Sequence, residues 1–183
     1  MNNTAVQSAV STVKQIVEAT CRHPNMMQFY HEDTGTEVVM RIKVHPADSR
    51  RLVGARADNI KALRIMARLM LWGTGRLANI QQIEWHDVPE GDYEPFNLKA
   101  DWQEPKLTNL IETMAFIVFH ERCKAITKPV ENNDEMTKII VNVPVNDNRP
   151  KTVATDFDKA AKVLFVPIGI NHGRRLHIET RTE

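Results

Sequence analysis

Between Arg41 and Arg76 the chain carries nine basic side chains (Arg41, Lys43, Arg50, Arg51, Arg56, Lys61, Arg64, Arg68 and Arg76) against two acids, Asp48 and Asp58. Cations at that density, with few carboxylates to neutralise them, can hold a polyanion by its phosphates. The next stretch reverses the sign, with twelve acids and five bases from Glu84 to Met136. A formal net charge of +1 conceals this asymmetry. The plainer reading of the basic segment is a solvated helix face with scattered lysines and arginines.

Other residue types offer less chemistry. The seven histidines are dispersed, and His172 and His177 span a turn and a strand rather than a metal-binding spacing. Cys21 and Cys123 fall in helical patterns without a CxxC or Cys-His spacing, so buried thiols are expected rather than a disulfide or a metal site. No nucleophile elbow, phosphate-binding loop, HExxH or dinucleotide fingerprint occurs. No catalytic residue, metal or cofactor is expected, and the chain reads as non-enzymatic. Trp72, near a helix end, and Trp85, in a strand, are expected in the core or an interface rather than as base-stacking platforms.

With 42% hydrophobic and 26% charged residues, the 183-residue chain can build a core and is too mixed in charge for disorder. No apolar run reaches the ~18 residues of a membrane span. The first residues lack a basic segment followed by an apolar stretch, and a cytoplasmic protein is expected.

The elements that would carry the basic side chains can be read from periodicity. Val6, Val10, Val13 and Val17 recur at helical spacing and predict a helix that ends near His23-Pro24. After Met26 to Tyr30 and a turn at Asp33-Thr34-Gly35, the alternation Val38, Met40, Ile42, Val44 predicts a strand over Glu37 to Val44, closed by His45-Pro46. Ser49 to Val53 predicts a short helix leading to Gly54. Ile60, Leu63, Ala67 and Met70 predict a second helix that stops at Gly73, and residues 79–85 a further strand. Residues 88–105 hold three prolines, a glycine and five acids, the composition of a linker or draped surface segment. Leu107, Leu110, Ile111, Met114 and Val118, with Phe116, Ile117 and Phe119 beside them, predict a helix apolar on more than one side and buried between domains.

The chain also resembles itself. Val17 to Arg22 matches Phe119 to Lys124, which places both cysteines, each followed by a base, at one position. Val38 to Val44 matches Lys138 to Pro144. Asp58, Lys61, Ala62 and Arg64 match Asp156, Lys159, Ala160 and Lys162, and Gly75-Arg76 and Ile80 match Gly173-Arg174 and Ile178. The order is kept throughout, which indicates duplication.

Residues 38–69 resemble the small bacterial RNA-binding KH proteins of the KhpA type. The residues that carry the resemblance are His45-Pro46, Asp48, Leu52-Val53-Gly54 and Ile60-Lys61-Ala62-Leu63-Arg64, and with the preceding helix and strand it covers about the first 85 residues. In that family a Gly-x-x-Gly loop lets backbone amides approach the sugar-phosphate chain near a helix N-terminus. The resemblance implies an α+β fold of two tandem KH-like α/β sandwich domains, each a small sheet with helices packed on one face. It implies domain 1 at residues 1–87, an acidic Pro-containing linker at 88–104, and domain 2 at 105–183.

By the same resemblance Gly54, Ala55, Arg56 and Ala57 form the loop. Lys61 and Arg64 contact phosphates, with Arg50 and Arg51 close by, and Ile42, Val53 and Ile60 line the groove. The sequence departs from the family at Ala57, whose Cβ restricts positive φ, and at Asp58, an acid placed to cap the following helix. In the second half the loop position reads Thr152-Val153-Ala154-Thr155, too β-branched for close backbone approach. The expected ligand is single-stranded RNA at the first domain, with single-stranded DNA as an alternative. The expected assembly is a monomer in which the two repeats pair. The competing reading is a degenerate KH pair that docks on a protein partner in an RNA-processing, translation or transcription machine.

Overall fold

The computed structural model describes residues 2–84, 104–120, 123–130, 133–144 and 152–182. The first half runs α1 (Asn2–Thr20), β1 (Gln28–Asp33), β2 (Glu37–Lys43), α2 (Pro46–Val53), α3 (Asp58–Met70) and β3 (Leu77–Gln82). The second runs α4 (Glu104–Phe119), β4 (Ala125–Val130), β5 (Asn133–Val143), α5 (Thr152–Asn171) and β6 (Arg175–Thr182). The fold is α+β with two small three-stranded mixed sheets, ordered β1-β2-β3 and β4-β5-β6. In each sheet the first pair is antiparallel and the second parallel.

Local chemistry explains several of these boundaries. Asp33 turns the β1–β2 hairpin by accepting from the Gly35 amide at 2.9 Å, and Gly35 has the positive φ of 89° that such a turn requires. Arg76, just before β3, donates to the same carboxylate at 2.7 Å and ties the parallel strand to the hairpin. α2 begins at Pro46, three residues earlier than the sequence predicts. Proline suits a first turn, and the His45 ring accepts from the Ala47 amide at 3.2 Å.

One continuous apolar cluster runs through both halves. α1 packs on α4 and α3 on α5, while α1 also meets α5 and α3 meets α4. That reciprocal pattern is the one a two-fold axis imposes on a homodimer, built here within a single chain. Val6, Val10, Val13 and Val17 of α1 find buried counterparts in Leu107, Ile111, Met114 and Val118 of α4. Ala62, Met66, Ala67 and Met70 of α3 find theirs in Ala160, Leu164, Phe165 and Ile168 of α5.

The repeat needs one correction in register. Met40 pairs with Ile80 and Ile139 with Ile178, and Val38, Met40, Ile42 and Thr137, Ile139, Val141 are the buried rows. Val38 therefore corresponds to Thr137 rather than Lys138. A slip of one residue would turn every β5 side chain to the opposite face of the sheet. The segment 88–103 lies outside the described residues, as does Trp85.

Candidate nucleic-acid interface

α2 and α3 meet at a tight loop whose backbone departs from the usual allowed regions. Gly54 has φ 77° and ψ 170°, and Arg56 and Ala57 are both left-handed, at φ 55° and 63°. Gly54 cannot carry a side chain, because a Cβ there would lie 2.6 Å from Asn59 Cγ and 2.8 Å from the Asn59 amide nitrogen. Asn59 is pinned in that place by its 2.6 Å donation to the Arg51 carbonyl. Ala57 adopts positive φ in spite of its Cβ, at a cost of about 1–2 kcal/mol. Asp58 opens α3 beside the positive end of the helix dipole and makes no side-chain capping bond.

The expected contact residues go to different places. Arg56 projects from the loop into solvent, and Ala55 is exposed beside it. Lys61 Nζ donates to the Arg56 carbonyl at 2.9 Å and braces the loop. Arg50 is exposed on α2, and Val53 packs partly against the core. Ile42 and Ile60 are buried core residues, 0% and 5% exposed, so they support the groove from beneath and do not line its surface. Arg51 turns away altogether: it donates to Pro167 O at 3.2 Å and to Asn171 Oδ1 at 2.6 Å in the second half. Burial lowers its pKa, with the nearby Arg22 charge acting in the same direction. Arg51 belongs to the junction between halves.

Among the described residues no strand pairs with the outer edge of β3, which completes a groove. Leu77 and Ile83 donate their amides to the Thr36 and Ile42 carbonyls of the β2 side at 2.9 and 2.8 Å. Alternate residues of a parallel strand turn both backbone groups to one neighbour, so Ala78, Ile80 and Gln82 turn theirs outward. Arg64, expected at a phosphate, instead donates Nε and Nη2 to the Ile80 carbonyl at 3.3 and 3.1 Å. On one side lies a cleft of about 270 Å³ lined by Arg64, Ile65, Arg68, Ala78, Asn79 and Ile80. A second of about 270 Å³ lies between Val44, Pro46, Ser49, Arg50 and Gln82 to Glu84. Arg64 and Arg68 thus line one cleft at the strand edge and Arg50, with Glu84, the other, while Arg56 and Lys61 stand at the α2–α3 loop beside Asp58.

No protein-family model matches the chain, and none of the curated proteins compared with it matches its sequence.

Among the described residues the second half has no such loop at the matching position. Thr152 to Thr155 form the first turn of α5, so the β-branched run expected to spoil a loop instead belongs to a continuous helix. Among the described residues no group of histidines, cysteines and acids could hold a metal ion, and no helix is long and apolar enough to cross a membrane. Trp72, expected in the core or an interface, is 49% exposed after the end of α3.

Asp48 matters more than its place in the sequence indicates. Fully buried, it accepts from the Arg22 and His23 amides at 2.9 and 2.8 Å and lies 3.1 Å from the His23 ring, locking the end of α1 to the start of α2. Burial, and then the Asp48 charge, push the neighbouring Cys21 thiol up to about 12, which makes it an inert core group. The signal available in the sequence was an acid in the first turn after His-Pro, but its partners come from 25 residues upstream.

Proposed function

We propose that the chain is a non-catalytic RNA-binding protein of the KH type that holds a single strand in the groove between the α2–α3 loop and the free edge of β3. The observation that supports this most is the pairing of a positive-φ loop bearing Arg56 with a row of arginines along an open strand edge. Cations placed along an extended groove bind the phosphates of a strand. Backbone groups that β3 turns outward can meet base edges, and the electrostatic part falls with salt. In this reading the second half is a scaffold that completes the core.

The test replaces Arg50, Arg56 and Lys61 together by glutamine and titrates a short single-stranded RNA at two salt concentrations. Binding weakens and the log–log salt slope falls by about 0.7 for each phosphate that is no longer neutralised. The control pair Lys159→Gln and Lys162→Gln, at the corresponding helix of the second half, leaves both unchanged. Parent-like binding by the triple variant would remove the groove from the site.

A second reading has one observation in its favour. Where the first half has Arg68 on α3 and Trp72 just after it, α5 presents Val166 and Ile170, 52% and 44% exposed, an apolar strip that suits a protein partner. Recovery of a protein and no RNA after crosslinking in cells would favour it.

A further inference from the structure

We propose that the groove selects RNA bases by their keto groups and that Arg64 sets this choice, an inference that rests on the RNA-binding reading above. The N–H and C=O of one outward-facing strand residue lie side by side, spaced to meet an acceptor and a donor on one base edge. Both classes of base offer such a pair, adenine and cytosine an exocyclic NH₂ beside a ring acceptor, and guanine, hypoxanthine and uracil a keto oxygen beside a ring N–H, so the exocyclic group is what an altered edge can tell apart. At Ile80 the carbonyl half is already engaged, because Arg64 approaches it with two guanidinium nitrogens at 3.3 and 3.1 Å.

Capping the carbonyl inverts what the edge offers. Next to the Ile80 N–H there stands a cation that lines the same cleft, and Arg68 lines it as well. The Ala78 carbonyl is the next acceptor along the strand, and the Asn79 amide can present either end. An exocyclic amine brought to Ile80 meets donors and loses its hydrogen bond on leaving water, a penalty that works as discrimination against amino bases. A keto oxygen has two lone pairs and can accept from the backbone N–H and the guanidinium together. Guanine and hypoxanthine add N7 as a second acceptor, the pattern that arginine reads.

The arrangement differs between the halves in the way this assignment requires. In β6 the outward amide of Thr180 is met by Asp158 Oδ1 at 3.4 Å, and its hydroxyl donates to the same oxygen at 2.9 Å. Thr180 is the counterpart of Gln82, and Lys162, the counterpart of Arg64, donates to this same acid. Arg64 is a donor beside a carbonyl, so the first groove stays open to one class of base.

Two pairs of oligomers, each of about eight nucleotides, isolate the group in question: oligo(rI) against oligo(rA), and oligo(rU) against oligo(rC). Within each pair a keto oxygen beside a ring N–H replaces an amine beside a ring acceptor. Fluorescence anisotropy on the full chain is expected to give tighter binding of the keto member in both pairs, by about tenfold. Arg64→Met keeps the aliphatic stem and uncovers the Ile80 carbonyl, and its preference should collapse toward parity as the amino members gain affinity. Its melting midpoint, recorded beside the parent's, confirms that the fold is retained. Equal binding of keto and amino members by the parent overturns the selection while RNA binding stands. A preference that survives in Arg64→Met overturns the role of Arg64. Failure of all four oligomers to bind the parent overturns the RNA-binding reading itself.

Discussion

Ile60 and Asp158 stand at the same place along corresponding helices, each beside the free edge of a parallel strand, and they do opposite things there. Ile60 is buried and leaves the β3 edge clear, while Asp158 accepts from Thr180 at 2.9 Å and from Lys162 Nζ at 2.6 Å. Around them the first half has the Gly54 loop, Arg64 and Arg68, and the second has a continuous helix, Lys162 and Val166. The buried pairs Met66 and Leu164, or Met70 and Ile168, change only in kind of apolar residue. The scaffold is retained in both copies because each buries its helices against the other, and loss of either would expose the shared core. A groove carries no such constraint, so one copy can lose it without loss of the fold.

Removal of core volume should have the greatest consequence, and it tests whether the two halves are one folding unit. Met66→Ala and Leu164→Ala should each lower stability by about 2–5 kcal/mol, because each leaves a cavity in the common core. Denaturant unfolding followed by circular dichroism and by tryptophan fluorescence should show one coincident transition in both variants. Two separate transitions, with only the mutated half shifted, would mean that the halves do not support each other.

A more modest change is expected at the clasp between halves. Asn171 is 6% exposed, accepts from Arg51, and donates to the Ala19, Thr20 and Cys21 carbonyls at 2.8, 2.9 and 3.2 Å. It thereby caps the end of α1 from the opposite half. Its counterpart Gly73 would have nothing within 4 Å of a Cβ, so the clasp exists on one side only. Asn171→Ala should cost about 2–3 kcal/mol, since it strands buried carbonyls and the Arg51 guanidinium, and Gly73→Asn should gain no matching hydrogen bond. A destabilisation no greater than that of an exposed substitution would show that the clasp adds nothing.

Acid should have the slightest influence. Glu179 is held down to about 2 by hydrogen bonds from Lys138 and then Arg181, and the Arg76 hydrogen bond lowers Asp33 in the first sheet. Both are depressed carboxylates, so what they contribute is present above their unfolded pKa values and fades as the pH falls. For Glu179 the loss runs from about 4.5 down through about 2. Both sites are exposed and salt screens them, so the shifts in melting temperature should be slight. The difference between parent and Glu179→Gln should be present at neutral pH, shrink across that window and vanish below it. A constant difference at all pH values would assign the effect to packing.

Much of the fold was legible in the sequence because burial imposes period. Valines at helical spacing gave α1, the alternation from Val38 to Val44 gave β2, and the apolar excess around Leu107 to Phe119 reflected a helix packed against α1 and α3. The β5 register differs by one residue from the sequence reading, because Ile139, Ile140 and Val141 are apolar without alternation and only pairing with β6 decides which face inward. The site was half legible. Gly54 and the bases were visible as residue types, but the directions of their side chains were not. Arg51 and Arg64 look alike in sequence, and one reaches Asn171 in the other half while the other reaches the carbonyl of Ile80. Those partners lie 120 and 16 residues away, beyond the reach of any local pattern.

If the asymmetry between the halves is functional, RNA lies in the first groove and not in its counterpart. A single-stranded RNA carrying 4-thiouridine, crosslinked to the intact chain by ultraviolet light and mapped by mass spectrometry, distinguishes the two grooves in one experiment. Adducts should fall in the peptides that hold Arg50 to Arg68 and Ala78 to Glu84. Adducts confined to the peptides from Thr152 to Thr182 would contradict this placement.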